Sequence, residues 1–142
     1  MGSLFRTADA AGVSKLYLTG YTPAPVDEMG RPRKEIAKTA LGAETSLERE
    51  KSDSISRILD RLSGQGFFIV ALENTPRAID YKRFRPRFPI ALVVGNEVMG
   101  LSPRLIRRAD SVIKIPMHGK KESLNVGVAF GVAVYKIREF HL

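Results

Sequence analysis

Two stretches of the sequence have a composition that could suit a ligand site. Each begins at the end of an apolar run that resembles a buried strand and continues into polar residues. Residues 92–103 read LVVGNEVMGLSP, and residues 115–126 read IPMHGKKESLNV. Ligands of open α/β sheets bind outside the carboxyl ends of the strands, where a glycine such as Gly95 lets a flat ligand approach the backbone closely. The dinucleotide pattern GxGxxG and the phosphate-loop ending GK[ST] are both absent. Taken alone, the first stretch is more typical of an ordinary strand–turn–helix.

A third stretch, GSLFRTADAAGV at residues 2–13, places Arg6 on a predicted helix otherwise rich in small and apolar residues. An arginine stays protonated in nearly all proteins, so it is an awkward base. A role as base would require strong desolvation or help from a phosphate. The alternative is that it holds a phosphate with two hydrogen bonds and stabilises charge that grows on an oxygen. By itself, Arg6 is more typical of a surface arginine.

The composition favours a polyanionic partner. The 142 residues contain 23 Lys and Arg against 15 Asp and Glu, which gives a net charge of +8, and nucleic acid is the usual partner of so basic a domain. The absence of cysteine excludes disulfides and thiolate metal sites, and two histidines cannot build a metal site alone. With no signal-peptide pattern and no apolar run long enough to span a bilayer, we expect a cytoplasmic protein with no membrane or metal partner.

The apolar pattern predicts an α/β fold with a mostly parallel sheet flanked by helices. Four apolar runs without clean alternation are typical of strands buried on both faces: residues 15–20, 66–73, 90–96 and 111–117. Helices are predicted over 3–11, 46–63, a short segment after Ser102, and from 123 to the C-terminus. The second was expected to begin with a capping box of Thr45 and Glu48. The length favours a single domain.

The basic residues outside these elements are the candidate nucleic-acid contacts. Residues 21–45 form a long irregular stretch, and such loops are usually functional or disordered. The predicted nucleic-acid-binding residues, which become RNA-binding residues under the family resemblance described next, are Arg31, Arg33, Lys34, Lys38, Lys120 and Lys121. Tyr21 could stack on a base, and residues 81–87, YKRFRPR, form a second basic and aromatic segment. Solvated charge is the alternative for each of them.

The three motifs occur in order: GSLFRTADAAGVSKLYL, ALVVGNEVMGLS and IKIPMHGKKESLNVGVA. Together with KTALGAE at residues 38–44, they resemble the SpoU (TrmH) family of RNA ribose 2′-O-methyltransferases, within the SPOUT superfamily. The resemblance implies a C-terminal deep trefoil knot, S-adenosylmethionine as methyl donor, tRNA or rRNA as substrate, and a homodimer formed through the last helix.

The resemblance also implies roles for particular residues. Arg6 matches the arginine regarded as catalytic, and Glu97, Ser123 and Asn125 match polar residues that position it and the substrate. By position, the cofactor would be held by Leu72, Glu73, Gly95, Ile115, Met117, Ser123 and Leu124. Ser123 is also expected to cap the last helix, with Leu124 over the adenine and Asn125 facing the substrate.

One departure from the family pattern concerns the start of the chain. The first motif usually opens Asn-x-Gly after a strand, whereas here Met1 stands in the middle place. The prediction is therefore a single SpoU-type domain over 1–142 that lacks the first strand.

Two other functions remain open from the sequence. A non-catalytic RNA-binding protein that kept the fold is the first alternative, and the missing asparagine supports it. The second is a Rossmann-like enzyme for a small nucleotide, whose substrate binding would not weaken with salt as RNA binding does.

Overall fold

The computed structural model describes residues 2–19, 47–95 and 100–141. Every strand pairing that it gives is parallel. The chain divides into two compact units, Met1–Ile58 and Leu59–Leu142. Both contain strands and helical residues, so the predicted α/β class with parallel strands is confirmed.

The first unit contains helix α1, Gly2–Ala10, and two paired strands, β1, Leu16–Thr19, and β2, Arg49–Ser52. The helix buries one stripe that consists of Leu4, Phe5, Ala8 and Ala11. It ends at Ala10, and Gly12 in the turn that follows has a φ of +79°, which suits glycine. This agrees with the helix predicted over 3–11.

A charged pair links the start of β1 to β2. The Lys15 ammonium donates to the Glu50 carboxylate over 3.2 Å and lies 3.7 Å from Glu48. The hydrogen bond to Glu50 raises the pKa of Lys15 above its ordinary value. Lys15 therefore stays charged and joins the two strands.

The helix predicted over 46–63 is wrong in its first half. Residues 49–52 form β2 in register with β1, and helix α2 runs only over Ile55–Gly64. The Ser52 hydroxyl accepts from the Ser54 amide (3.1 Å), and the Ser54 hydroxyl accepts from the Arg57 amide (3.3 Å), which starts the helix at this point. Pairing with β1 thus overrides the local helical pattern. Thr45, half of the expected capping box, lies outside the described residues.

The second unit is built on a four-stranded sheet with the strand order β4–β6–β3–β5. Its strands are β3, Phe68–Leu72, β4, Ile79–Asp80, β5, Ile90–Val94, and β6, Ser111–Lys114. Three of them match predicted runs, whereas β4 was missed because two residues leave no apolar run to detect. Helix α3, Pro103–Arg108, begins as predicted, with the Ser102 hydroxyl accepting from the Leu105 amide over 3.2 Å.

The sheet of this unit packs against the last helix, α4, Val126–Arg138. The shared core consists of Val70, Phe84, Ile113, Ala133 and Ile137. A side chain completes the backbone pairing where β6 begins, since the Asp110 carboxylate accepts from the Ile69 amide over 2.7 Å. Packing of the buried face of α4 on the sheet therefore positions the first turn of this helix relative to the strand ends.

Two expectations about α4 are wrong. The helix begins at Val126 rather than at 123, and its cap is Asn125, whose side-chain oxygen accepts from the Gly127 amide over 2.8 Å. Asparagine is among the best capping residues. Two large side chains of α4 are exposed, Val128 (54%) and Tyr135 (49%).

Candidate functional site

A cavity of about 690 Å³ lies in the second unit where three adjacent strands end. The last residues of β3, β5 and β6 (Leu72, Val94 and Lys114) all line it. The strand register causes this convergence, because Leu72 pairs with Val94 on one side and with Ile113 on the other. The carboxyl ends of parallel strands are where α/β proteins bind ligands, and the volume is that of a small-molecule site.

The structure brings together all seven residues predicted to bind the cofactor. Leu72, Glu73, Gly95, Ile115, Met117, Ser123 and Leu124 line this one cavity. They come from the ends of β3 and β5 and from the loop that leads from β6 to α4. Their convergence is observed, and their role in binding remains a prediction.

Two glycines let backbone segments approach closely at one wall of the cavity. A Cβ atom on Gly95 would lie 2.6 Å from the carbonyl carbon of Gly100 and 2.8 Å from the Leu101 amide nitrogen. Gly100 has a φ of +64°, and a Cβ there would lie 2.6 Å from a Glu73 carboxylate oxygen. Backbone atoms leave no room for a side chain at Gly95, and at Gly100 the positive φ favours glycine.

Glu73 holds this wall together through its carboxylate. One oxygen accepts from the Leu101 amide over 2.8 Å, and the other accepts from the Asn74 amide over 3.2 Å. The first bond connects the end of β3 to Gly100 and Leu101, whose backbone packs on Gly95. The sequence predicted Glu73 only as a residue of the cofactor pocket. The signal that could have indicated its structural role is a carboxylate directly after a buried strand.

The loop before α4 forms another part of the lining. The Asn74 side chain donates to the Glu122 carbonyl over 3.4 Å, which connects this loop to the end of β3. Ser123 lines the cavity but does not cap the helix, contrary to the prediction. Leu124 is 38% exposed beside the cavity, and Asn125 uses its side-chain oxygen for the cap.

The remaining predicted site residues are placed only in part. Arg6 lies in the first unit and is exposed on α1. Lys120 and Lys121 are exposed in the loop before α4. The others lie outside the described residues: Glu97, Tyr21, Arg31, Arg33, Lys34 and Lys38.

Within the described part of the chain, we find no cluster of three or more acidic or histidine side chains that could hold a metal ion. In the same residues, no helix has the length and apolar character needed to cross a membrane.

A parallel α/β fold with a cavity at the ends of three adjacent strands defines a class of ligand-binding α/β proteins. Within that class, the chain belongs to the SpoU rRNA Methylase family, whose sequence model matches residues 1–135. The resemblance drawn from the three motifs is thereby confirmed.

Individual relatives support the same assignment. A tRNA (guanosine(18)-2′-O)-methyltransferase from Aquifex aeolicus is 35% identical over 134 residues, which are 94% of this chain and 60% of the relative. The crystal structure of a TrmH/SpoU tRNA modifying enzyme from A. aeolicus has a TM-score of 0.82 at 32% identity. The match covers 98% of this chain and 67% of the A. aeolicus chain. The structure of an AdoMet-bound rRNA methyltransferase from Sinorhizobium meliloti has a TM-score of 0.85 at 28% identity. The match covers 99% of this chain and 51% of the S. meliloti chain. The chain thus spans about half to two thirds of the length of these relatives.

Proposed function

We propose that this protein is an RNA methyltransferase that transfers a methyl group from S-adenosylmethionine to a ribose 2′-hydroxyl of tRNA or rRNA. The observation that carries the proposal is the single cavity lined by all seven predicted cofactor residues. Membership of the SpoU rRNA Methylase family and the AdoMet-bound relative support it. The net charge of +8 supports an RNA substrate.

The cavity suits S-adenosylmethionine in size and chemistry. Its volume of about 690 Å³ lies within the range of sites that bury small organic ligands. Leu72, Ile115, Met117 and Leu124 offer apolar surface for a purine ring, and Gly95 leaves the backbone bare for hydrogen bonding. We infer that backbone groups beside Gly95 and Ile115 hold the adenosine part.

The reaction places its main demand on the protein at the ribose hydroxyl. Bound in the cavity, S-adenosylmethionine would supply a methyl group whose leaving group is a neutral thioether. The hydroxyl must lose its proton to attack well, which requires a base or a field that favours negative charge on the oxygen. Arg6 would provide that field, so that the hydroxyl proton can leave to water, and would hold the substrate phosphate through two hydrogen bonds. Glu97, Ser123 and Asn125 would position the substrate.

Finer features of the family belong to the same proposal. The parallel order β4–β6–β3–β5, in which β5 and β6 flank the earlier β3, supports a SPOUT fold with a deep trefoil knot at the C-terminal end. We also retain the prediction of a single SpoU-type domain over 1–142. A cytoplasmic location suits an enzyme that acts on tRNA or rRNA.

The test of the function is methylation of bulk tRNA and rRNA with radiolabelled S-adenosylmethionine, followed by mapping of the modified ribose. We expect label in one RNA class at a 2′-O position. Donor binding without transfer to any RNA would favour the non-catalytic RNA-binding protein. Substrate binding that does not change with salt would favour an enzyme that acts on a small nucleotide, because contacts to phosphates weaken steeply with salt.

The exposed face of α4 supports the homodimer that the family resemblance implies. Val128 and Tyr135 are seven residues apart, so they lie on one side of the helix, opposite the buried Phe130, Ala133 and Ile137. A second copy of this chain, packed through the same face, would cover both apolar side chains.

Replacing Val128 with glutamate should convert the dimer to a monomer, because a charge would be buried in the apolar interface. Light scattering after size-exclusion chromatography measures the mass directly. Ile79→Glu is the matched control, since Ile79 is also exposed (43%) but lies on β4. A wild-type mass of one chain, or a dimeric Val128→Glu variant, would contradict this interface.

A further inference from the structure

Two segments more than 45 residues apart in sequence meet at the amino ends of the second unit's strands, which is the end of the sheet opposite to the cavity. Residues 81–89 run from the carboxyl end of β4 to the amino end of β5, and the Phe68 amide at the start of β3 donates to the Pro89 carbonyl over 2.9 Å. The last turn of α4 and the residues after it join them there through ring contacts. A five-residue strand spans roughly 15 Å, so this region is well separated from the cavity.

Arginine and aromatic side chains form the contacts between the two segments. The Arg85 guanidinium lies over the Phe140 ring at 5.4 Å from its centre, and the Lys136 ammonium lies 5.8 Å from the same ring. Phe88 packs against His141 with ring centres 4.7 Å apart. We call this area, made of Arg85, Arg87, Phe88, Lys136, Phe140 and His141, the distal basic surface.

The charge of this surface is largely unbalanced. Glu139 pairs with Lys136 over 2.9 Å, and the Asp80 carboxylate accepts from the Lys82 backbone amide. Among the described residues, no carboxylate lies within ion-pair distance of Arg85 or Arg87. Both arginines are exposed, so they are available to an anionic partner.

The aromatic rings restrict the arginines before any partner binds. Arg87 lies 5.6 Å from the centre of the Phe68 ring, much as Arg85 lies over Phe140. A guanidinium stacked on a ring loses less conformational freedom when its N–H groups contact a phosphate. Phe88 (39% exposed) and Phe140 (37% exposed) also offer ring surface to an unpaired base.

We propose that the distal basic surface binds the phosphate backbone of the RNA substrate at a point remote from the methylated nucleotide. The inference rests on the proposed function, because it takes RNA as the substrate. It adds a second contact region, at the end of the sheet opposite to the methyl-donor cavity. Binding there would add affinity and orient the RNA, while the cavity and its neighbouring loops select the ribose.

The test is binding of unfractionated tRNA to the double variant Arg85→Gln/Arg87→Gln across a range of salt concentrations. We expect affinity to fall about tenfold and the slope of log affinity against log salt to decrease by about two, one for each lost phosphate contact. S-adenosylmethionine affinity, measured by calorimetry, should stay unchanged, which shows that the variant is folded.

The control is Arg57→Gln/Arg107→Gln, which removes the same charge from two other exposed arginines. Wild-type affinity and salt slope in the Arg85/Arg87 double variant, or an equal loss in the control, would overturn the distal basic surface and leave the proposed function standing. No binding of tRNA or rRNA by the wild type would overturn the RNA substrate and this inference together.

Discussion

Replacing Arg6 with alanine is expected to reduce methyl transfer to RNA by about 100- to 1,000-fold and to leave S-adenosylmethionine affinity unchanged. Removal of one group that stabilises charge in the transition state typically has an effect of this size. Arg6 is exposed on α1, and surface substitutions usually change stability little. The loss should therefore appear in turnover. Initial rates at saturating donor, with donor affinity from calorimetry, separate the two effects.

The variant Arg6→Lys distinguishes the two roles that an arginine can have here. Lysine keeps the positive charge but cannot form the two parallel hydrogen bonds of a guanidinium. Partial recovery of the rate would indicate that charge contributes, and full activity would exclude a need for two bonds. Arg57→Ala, another exposed arginine replaced in the same way, should keep the wild-type rate. Full activity of Arg6→Ala would refute its assignment as the catalytic residue.

Replacing Gly95 with alanine is expected to weaken S-adenosylmethionine binding by about 10- to 100-fold, which corresponds to the 1–3 kcal/mol typical of overpacking. The added Cβ would lie 2.6 Å from the carbonyl carbon of Gly100 and 2.9 Å from its oxygen. Backbone atoms cannot move aside like the end of a flexible side chain. The backbone of Gly100 and Leu101, which Glu73 holds through the Leu101 amide, would have to shift and change the wall of the cavity. Calorimetric titration of the donor measures the loss.

Gly64→Ala is the matched control for this change. It adds the same methyl group at the end of α2, where nothing lies within 4 Å of the new atom. Donor affinity should match the wild type, and thermal unfolding of both variants shows whether either fold is damaged. Unchanged donor affinity in Gly95→Ala, with the fold intact, would mean that the donor does not rest against this wall.

Several elements were predictable because their signals are local. The runs that became β3, β5 and β6 are apolar and lack alternation, as expected for strands of a parallel sheet, although β5 is only partly buried along its length. Ser102 followed by Pro103 marked the start of α3. The predicted cavity residues follow from the family resemblance of the motifs, and the parallel register brings the strand ends beside them together.

Other features depend on partners that the local sequence does not reveal. Residues 49–52 carry no strand pattern and become β2 only because β1 offers its backbone for pairing. Ser123 and Asn125 are both good capping residues, and only the folded structure shows that Asn125 caps α4.

By itself, the sequence indicated the α/β class through its apolar runs, because burial patterns are local. Its three motifs indicated the family and, through that resemblance, seven of the residues that line the cavity. The tertiary structure alone decided that Glu73 holds Leu101 and that Arg85 lies over Phe140. Each of these contacts joins residues far apart in the chain, and only packing of the folded core determines which distant side chains meet.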